Sequence, residues 1–126
     1  MTDLAVFIDI ETAVMDLLAD LATGGIGTVT PSNLNTSMPF VRVTRIGGGD
    51  TRITDTARVD VDAFGATRTV AYNLAEACRQ RLISGPHVTA PGVLDSVTTD
   101  AGPHEVPWGD PTIRRFTASY SVSSRR

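Results

Sequence analysis

Near the end of the chain, Thr112 to Ser123 alternate apolar and polar side chains over twelve positions. Successive side chains on a strand point to opposite faces. This segment therefore puts Arg114, Phe116, Ala118, Tyr120 and Val122 on one face and Arg115, Thr117, Ser119 and Ser121 on the other. The ten residues before it, Gly102 to Pro111, hold three prolines and two glycines, which neither a helix interior nor a central strand accommodates. The single tryptophan, Trp108, lies in that loop. The fold must therefore contain a sheet with an apolar face, entered by this strand from an irregular loop. Such an arrangement suits contact with another macromolecule better than enclosure of a substrate.

Two helices would supply the cover for that face. Residues 4 to 22 carry a stripe of Ile10, Ala13, Val14, Leu17, Leu18 and Leu21, with Thr2 or Asp3 as the cap and Gly24-Gly25 as the stop. Thr67 to Ser84 carry a second stripe of Ala71, Leu74, Ala75, Cys78 and Leu82, ended by Gly85-Pro86. Between them, Pro39 to Ile46 and Thr56 to Phe64 alternate as strands, with Val59, Val61 and Ala63 inward and Arg58, Asp60 and Asp62 outward. Gly47-Gly48-Gly49-Asp50 reads as a flexible turn, and the polar residues between the strands as a protruding arm. A short strand at Gly27 to Thr30 and another at Val93 to Thr99 are also expected.

The predicted order is α-β-β-α-β-β. It describes one α+β domain over residues 1–126, a two-layer sandwich with a mostly antiparallel four-stranded sheet and both helices on one face. The repeated αββ unit hints at pseudo-symmetry. With 41% hydrophobic and 20% charged residues, the composition is that of an ordinary globular domain. All eleven basic residues are arginine, and the net charge of −3 gives no general reason to expect nucleic-acid or membrane binding. No stretch approaches the ~18 apolar residues of a membrane span. The first residues lack the basic start of a signal peptide, so the expected site of synthesis and use is a cytoplasm, or a particle assembled there.

Catalytic and cofactor chemistry finds little support. Gly47-Gly48-Gly49-Asp50 lacks the downstream Lys of a phosphate loop and joins strands instead of opening a helix. His87 and His104 are separated by seventeen residues, fit no zinc spacing, and fall in Gly/Pro-rich loops. Asp60 and Asp62 share a strand face about 7 Å apart, but nothing suggests a cleft that would desolvate one of them. Cys78 lies on the apolar face of a helix, as a buried structural thiol would. No cofactor, metal or catalytic residue is assigned.

Three blocks carry a resemblance. The first is Pro39-Phe40-Val41-Arg42-Val43-Thr44-Arg45-Ile46-Gly47-Gly48. The second runs from Asp55 to Phe64, then through Thr67-Arg68 to the Ala71-Tyr72-Asn73-Leu74-Ala75 helix. The third is Gly102-Pro103 through Pro107-Trp108-Gly109-Asp110-Pro111 to Arg115–Val122. In order and character they resemble the tail terminator proteins of long-tailed bacteriophages, particularly those infecting actinobacteria.

That resemblance implies a structural virion protein without catalytic residues. It would form a hexameric ring at the head-proximal end of the tail, halt polymerisation of the tail tube protein and meet the head–tail connector, with DNA passing through the lumen. Assembly would take place in the host cytoplasm. The residues expected at subunit or partner interfaces are Arg58, Asp60 and Asp62 on the hairpin face, Gly48, Gly49, Asp50 and Arg52 on the arm, and Trp108 and Arg115 around the loop. The alternatives are another neck or tail-completion protein, a generic oligomeric binding module, and a small hydrolase or nucleotide-binding enzyme.

Overall fold

The computed structural model describes residues 7–50 and 54–125. Helix α1 spans Ile10–Leu18 and is capped by Asp9, whose carboxylate accepts the Thr12 backbone N–H at 3.4 Å and the Thr12 hydroxyl at 2.9 Å. Helix α2 spans Arg68–Ile83, and its cap is Thr67, whose hydroxyl accepts the Val70 N–H at 3.2 Å. The strands are β1 (Gly25–Gly27), β2 (Phe40–Asp50), β3 (Thr54–Gly65), β4 (His87–Val88), β5 (Val93–Glu105) and β6 (Arg114–Arg125).

These six strands form one sheet in the order β1-β2-β3-β6-β5-β4. β1 runs parallel to β2, and every other neighbouring pair is antiparallel. The long central pair, β3 with β6, is matched from Thr54↔Arg125 to Gly65↔Arg114. On either side of that pair each half reads αβββ in chain order, with β1 outermost in one half and β4 in the other.

The main core follows from this register. Val41 and Val43 of β2, Ala57, Val59, Val61 and Ala63 of β3, and Phe116, Ala118, Tyr120 and Val122 of β6 form one apolar face. Ile10, Ala13, Val14 and Leu18 of α1 and Ala71, Leu74, Ala75, Cys78 and Leu82 of α2 cover it. Small residues on β3 and β6 leave room for the helices, and each large side chain buried here contributes about 1.5–3 kcal/mol. Arg81 joins the helices by donating to groups on α1's last turn and beyond: its Nη1 donates to the Leu17 carbonyl at 2.9 Å and to Asp20 at 2.8 Å.

The expected four-stranded, mostly antiparallel sheet in the order α-β-β-α-β-β is corrected to a six-stranded mixed sheet. The short strand expected at Gly27 to Thr30 lies instead at Gly25–Gly27, β4 was not expected, and both are too short to alternate visibly. β1 is Gly-Ile-Gly, held beside β2 with help from the Gly24 N–H donating to the Pro39 carbonyl at 2.7 Å. β4 is two residues following Gly85-Pro86. β5 also runs on to Glu105 through Gly102 and Pro103, because bulges interrupt its pairing with β6 between Thr99 and His104. Helix α1 starts at Ile10 and not near residue 4, since Asp9 rather than Thr2 or Asp3 supplies the cap; Thr2 and Asp3 lie outside the described residues. Gly47 to Asp50 form no turn. They extend β2 and pair with Asp55 to Arg58.

Candidate interaction face

The face of the sheet away from the helices is polar and spans four strands. On β2, Arg42 Nε and Nη2 both donate to Asp62 Oδ2 of β3, at 2.9 and 2.7 Å. The Thr117 hydroxyl of β6 donates to the other oxygen of Asp62 at 2.7 Å. One row along, the Ser119 hydroxyl donates to Asp60 at 2.6 Å. Further toward the arm, the Ser121 hydroxyl donates to Asp100 of β5 at 2.7 Å, and Arg58 Nε lies 3.8 Å from the same carboxylate. Each β3 carboxylate thus has a hydroxyl from β6 directly opposite, as the register Asp62↔Thr117 and Asp60↔Ser119 requires.

At one end this face carries a second, smaller core of Leu34, Phe40, Phe64 and Ile113, with Met38 and Trp108 packed against it. Trp108 stands edge-on to Phe64 at a centroid separation of 4.9 Å. Arg42 and Arg115 both lie over the indole, at 5.5 and 5.0 Å from its centroid. Arg115 also donates to the Pro107 carbonyl at 3.2 Å. Asp110 Oδ1 accepts both the hydroxyl and the N–H of Thr112, at 2.7 and 2.9 Å, and these bonds hold its carboxyl below the usual carboxylate range. Trp108 therefore acts as a lid fixed within its own chain, and its loop is held in place from both sides.

The arm is a continuation of β2 and β3. An ion pair runs along it on the helix side: from its base Arg45 reaches Asp55, opposite Asp50, and its Nη1 and Nη2 donate to the two carboxylate oxygens, each at 2.8 Å. Hydrogen bonding to Asp55 raises the Arg45 pKa further. Ile46 is bulged between Arg45 and Gly47. Beyond it, Gly48 lies so close to β3 that a Cβ there would sit 2.0 Å from the Thr56 carbonyl oxygen, and its φ of +118° belongs to glycine. Gly49 and Asp50 follow as exposed strand residues, and Arg52 lies outside the described residues.

A family model described as phage tail termination protein matches residues 6–125. The chain belongs to that family. No match was found among individually curated proteins. Membership makes the chain a structural component of a bacteriophage tail, and a part in tail termination implies contact with other tail components.

Against that background the expected interface residues separate. Arg58, Asp60 and Asp62 do share one face, but Arg58 turns to Asp100 and not to its β3 neighbours. Asp62 is buried, at 5% exposure. Its desolvation on this face had no signal in β3 alone. Its partners are Arg42, whose outward position between Val41 and Val43 was readable, and Thr117 of β6, whose place opposite was not. Thr117, Ser119, Asp100 and Ser121 also belong to the face. Trp108 and Arg115 meet on it, while Gly48, Gly49 and Asp50 lie at the other end of the sheet, on the arm.

The histidines stand on strands, not in the expected loops. His87 on β4 meets the Leu82 carbonyl at 2.9 Å, and His104 on β5 meets the Gly102 carbonyl at 2.9 Å, at opposite ends of β5's pairing. Among the described residues, no three His, Cys, Asp or Glu side chains converge as a metal site. Burial of Cys78 pushes its thiol up to about 12, well away from a nucleophile's range.

Proposed function

We propose that this tail termination protein closes into a ring of identical subunits at the head-proximal end of the tail tube. There it stops addition of tube protein and offers its other side to the head connector, with DNA crossing the lumen without a dedicated site and with no chemistry catalysed.

The observation that carries this reading is the unlikeness of the two sheet margins. On one side three-residue β1 covers only Phe40 to Arg42 of β2; on the other, two-residue β4 covers only Val93 and Leu94 of β5. Unlike margins on one rigid subunit favour heterologous, head-to-tail contacts, and a rotation that closes turns such contacts into a ring. The polar face supports the same reading. Its Arg42–Asp62 and Asp60–Ser119 contacts are made within the chain, so the face is rigid before any partner arrives.

The test is negative-stain imaging of the purified protein, alone and with polymerising tail tube protein. Rings with a central hole, seated at tube ends and limiting tube length, are the expected result. Tubes that grow unchecked and carry no end density would overturn the proposal.

A further inference from the structure

We propose that neighbouring subunits join by strand addition, with the arm edge Gly47–Asp50 of one copy pairing antiparallel to Ser96–Thr99 on the β5 edge of the next. The inference rests on the ring reading above and specifies its joint.

Four observations converge on these segments. First, among the described residues, β1 leaves the outer edge of β2 beyond Arg42 without a strand partner, and β4 leaves β5 without one beyond Leu94. Second, the usable stretches are bounded by local features. On β2, Glu11 takes the Arg45 N–H at 2.9 Å and Ile46 is bulged, so a regular edge begins at Gly47. On β5, register shifts on both sides leave Ser96 to Thr99 regular.

Third, the two stretches lie at the same height. Gly47, Arg58, Ser121 and Thr98 share one row across the sheet, and Gly49, Thr56, Ser123 and Ser96 share another. β2 and β5 run in opposite directions, since three antiparallel pairings separate them. Rotation about an axis along the strands preserves those directions and heights. It therefore brings β5 of one copy beside β2 of the next as an antiparallel pair, the geometry with straight hydrogen bonds.

Fourth, nothing among the described residues requires Gly49 to be glycine. A Cβ there would meet nothing within 4 Å, and its φ lies outside the left-handed region. Glycine weakens a strand unless another backbone comes close, and an open edge of this kind is a template for a second strand.

Two measurements on the full chain test the joint. Hydrogen exchange by mass spectrometry, comparing assembled with dilute protein, is expected to slow at least tenfold at residues 47–50 and 96–99. The double variant Gly49→Cys/Ser96→Cys is expected to give, on oxidation, a ladder of covalent multimers ending at the ring size. Each single variant gives at most dimers, because Cys78 is buried. Rings that form while both segments exchange as fast as in the monomer, and that yield no ladder, overturn the strand pairing and leave the ring reading standing. A wild-type chain that stays monomeric even with tube protein overturns the ring reading, and the joint with it.

Discussion

The Arg42–Asp62 pair sets the rigidity of the polar face, and its removal has a calculable cost. Asp62→Ala leaves the Arg42 guanidinium without its anion and the Thr117 hydroxyl without its acceptor. Truncating one partner of a fully buried pair costs about 3–5 kcal/mol, whereas an exposed pair contributes about 0–1 kcal/mol. Here the Asp62 side chain is 7% exposed and that of Arg42 23%. Water therefore recovers part of the loss, and the expected cost is about 3 kcal/mol, or a fall of roughly 10 °C in Tm for a domain of this size. Arg42→Met keeps an aliphatic chain against Phe64 and Trp108 but strands the carboxylate, at a cost of about 2 kcal/mol. The double variant Arg42→Met/Asp62→Leu removes both charges and is expected to lie within about 1 kcal/mol of wild type, a coupling of several kcal/mol. Urea unfolding followed by Trp108 fluorescence measures all four states of the cycle. An additive cycle, or a cost below about 1 kcal/mol for Asp62→Ala, would refute the argument that this pair holds the face.

Three further outcomes are expected. Gly48→Ala places a Cβ against the Thr56 carbonyl and forces a residue with a side chain to φ +118°, so it should destabilise by about 2 kcal/mol or more; native-state hydrogen exchange should show the loss concentrated at residues 55–58. Cys78 should resist thiol-specific reagents at pH 8 in the native state and react fully in denaturant, because its thiol is pushed up to about 12; rapid native reaction would contradict its burial. Asp20, hydrogen-bonded by Arg81, should titrate below its ordinary 3.8 by carboxyl NMR and return to it in Arg81→Ala. Its folded-state pKa is depressed, so the pair's contribution is present above pH 3.8 and disappears as pH falls through the folded value.

Patterns long enough to repeat were legible in the sequence. The α2 stripe needs five matches over Ala71 to Leu82, and the alternations of β3 and β6 each run for several residues, so chance does not imitate them. The inward faces of those strands follow directly. Elements held by their neighbours were not legible: Gly-Ile-Gly has no strand character until Phe40 to Arg42 lie beside it. Pro103 reads as a strand breaker, yet β5 tolerates it because its pairing with β6 is already broken there. In the candidate face, Arg58, Asp60 and Asp62 were grouped correctly by alternation, but their partners lie on other strands, and only the register reveals Arg42, Thr117 and Asp100. Trp108 shows the same divide. Its loop was readable as irregular, while its packing edge-on to Phe64 depends on β3 and the loop meeting across 43 intervening residues, which no local pattern encodes.

The central place of β6 has a kinetic consequence. β6 follows every other described strand in chain order, yet among the described strands it alone pairs the β1-β2-β3 half of the sheet with the β5-β4 half. Until it inserts, β3 and β5 share no ladder, and the two halves are linked through α2, which packs against both. Closure of the sheet is thus a late, long-range event with a high loop-closure cost, which places the chain among slower folders. The two margins proposed to join subunits lie on opposite sides of β6. On that proposal, a subunit holds both margins in fixed relation only once β6 is in place between them.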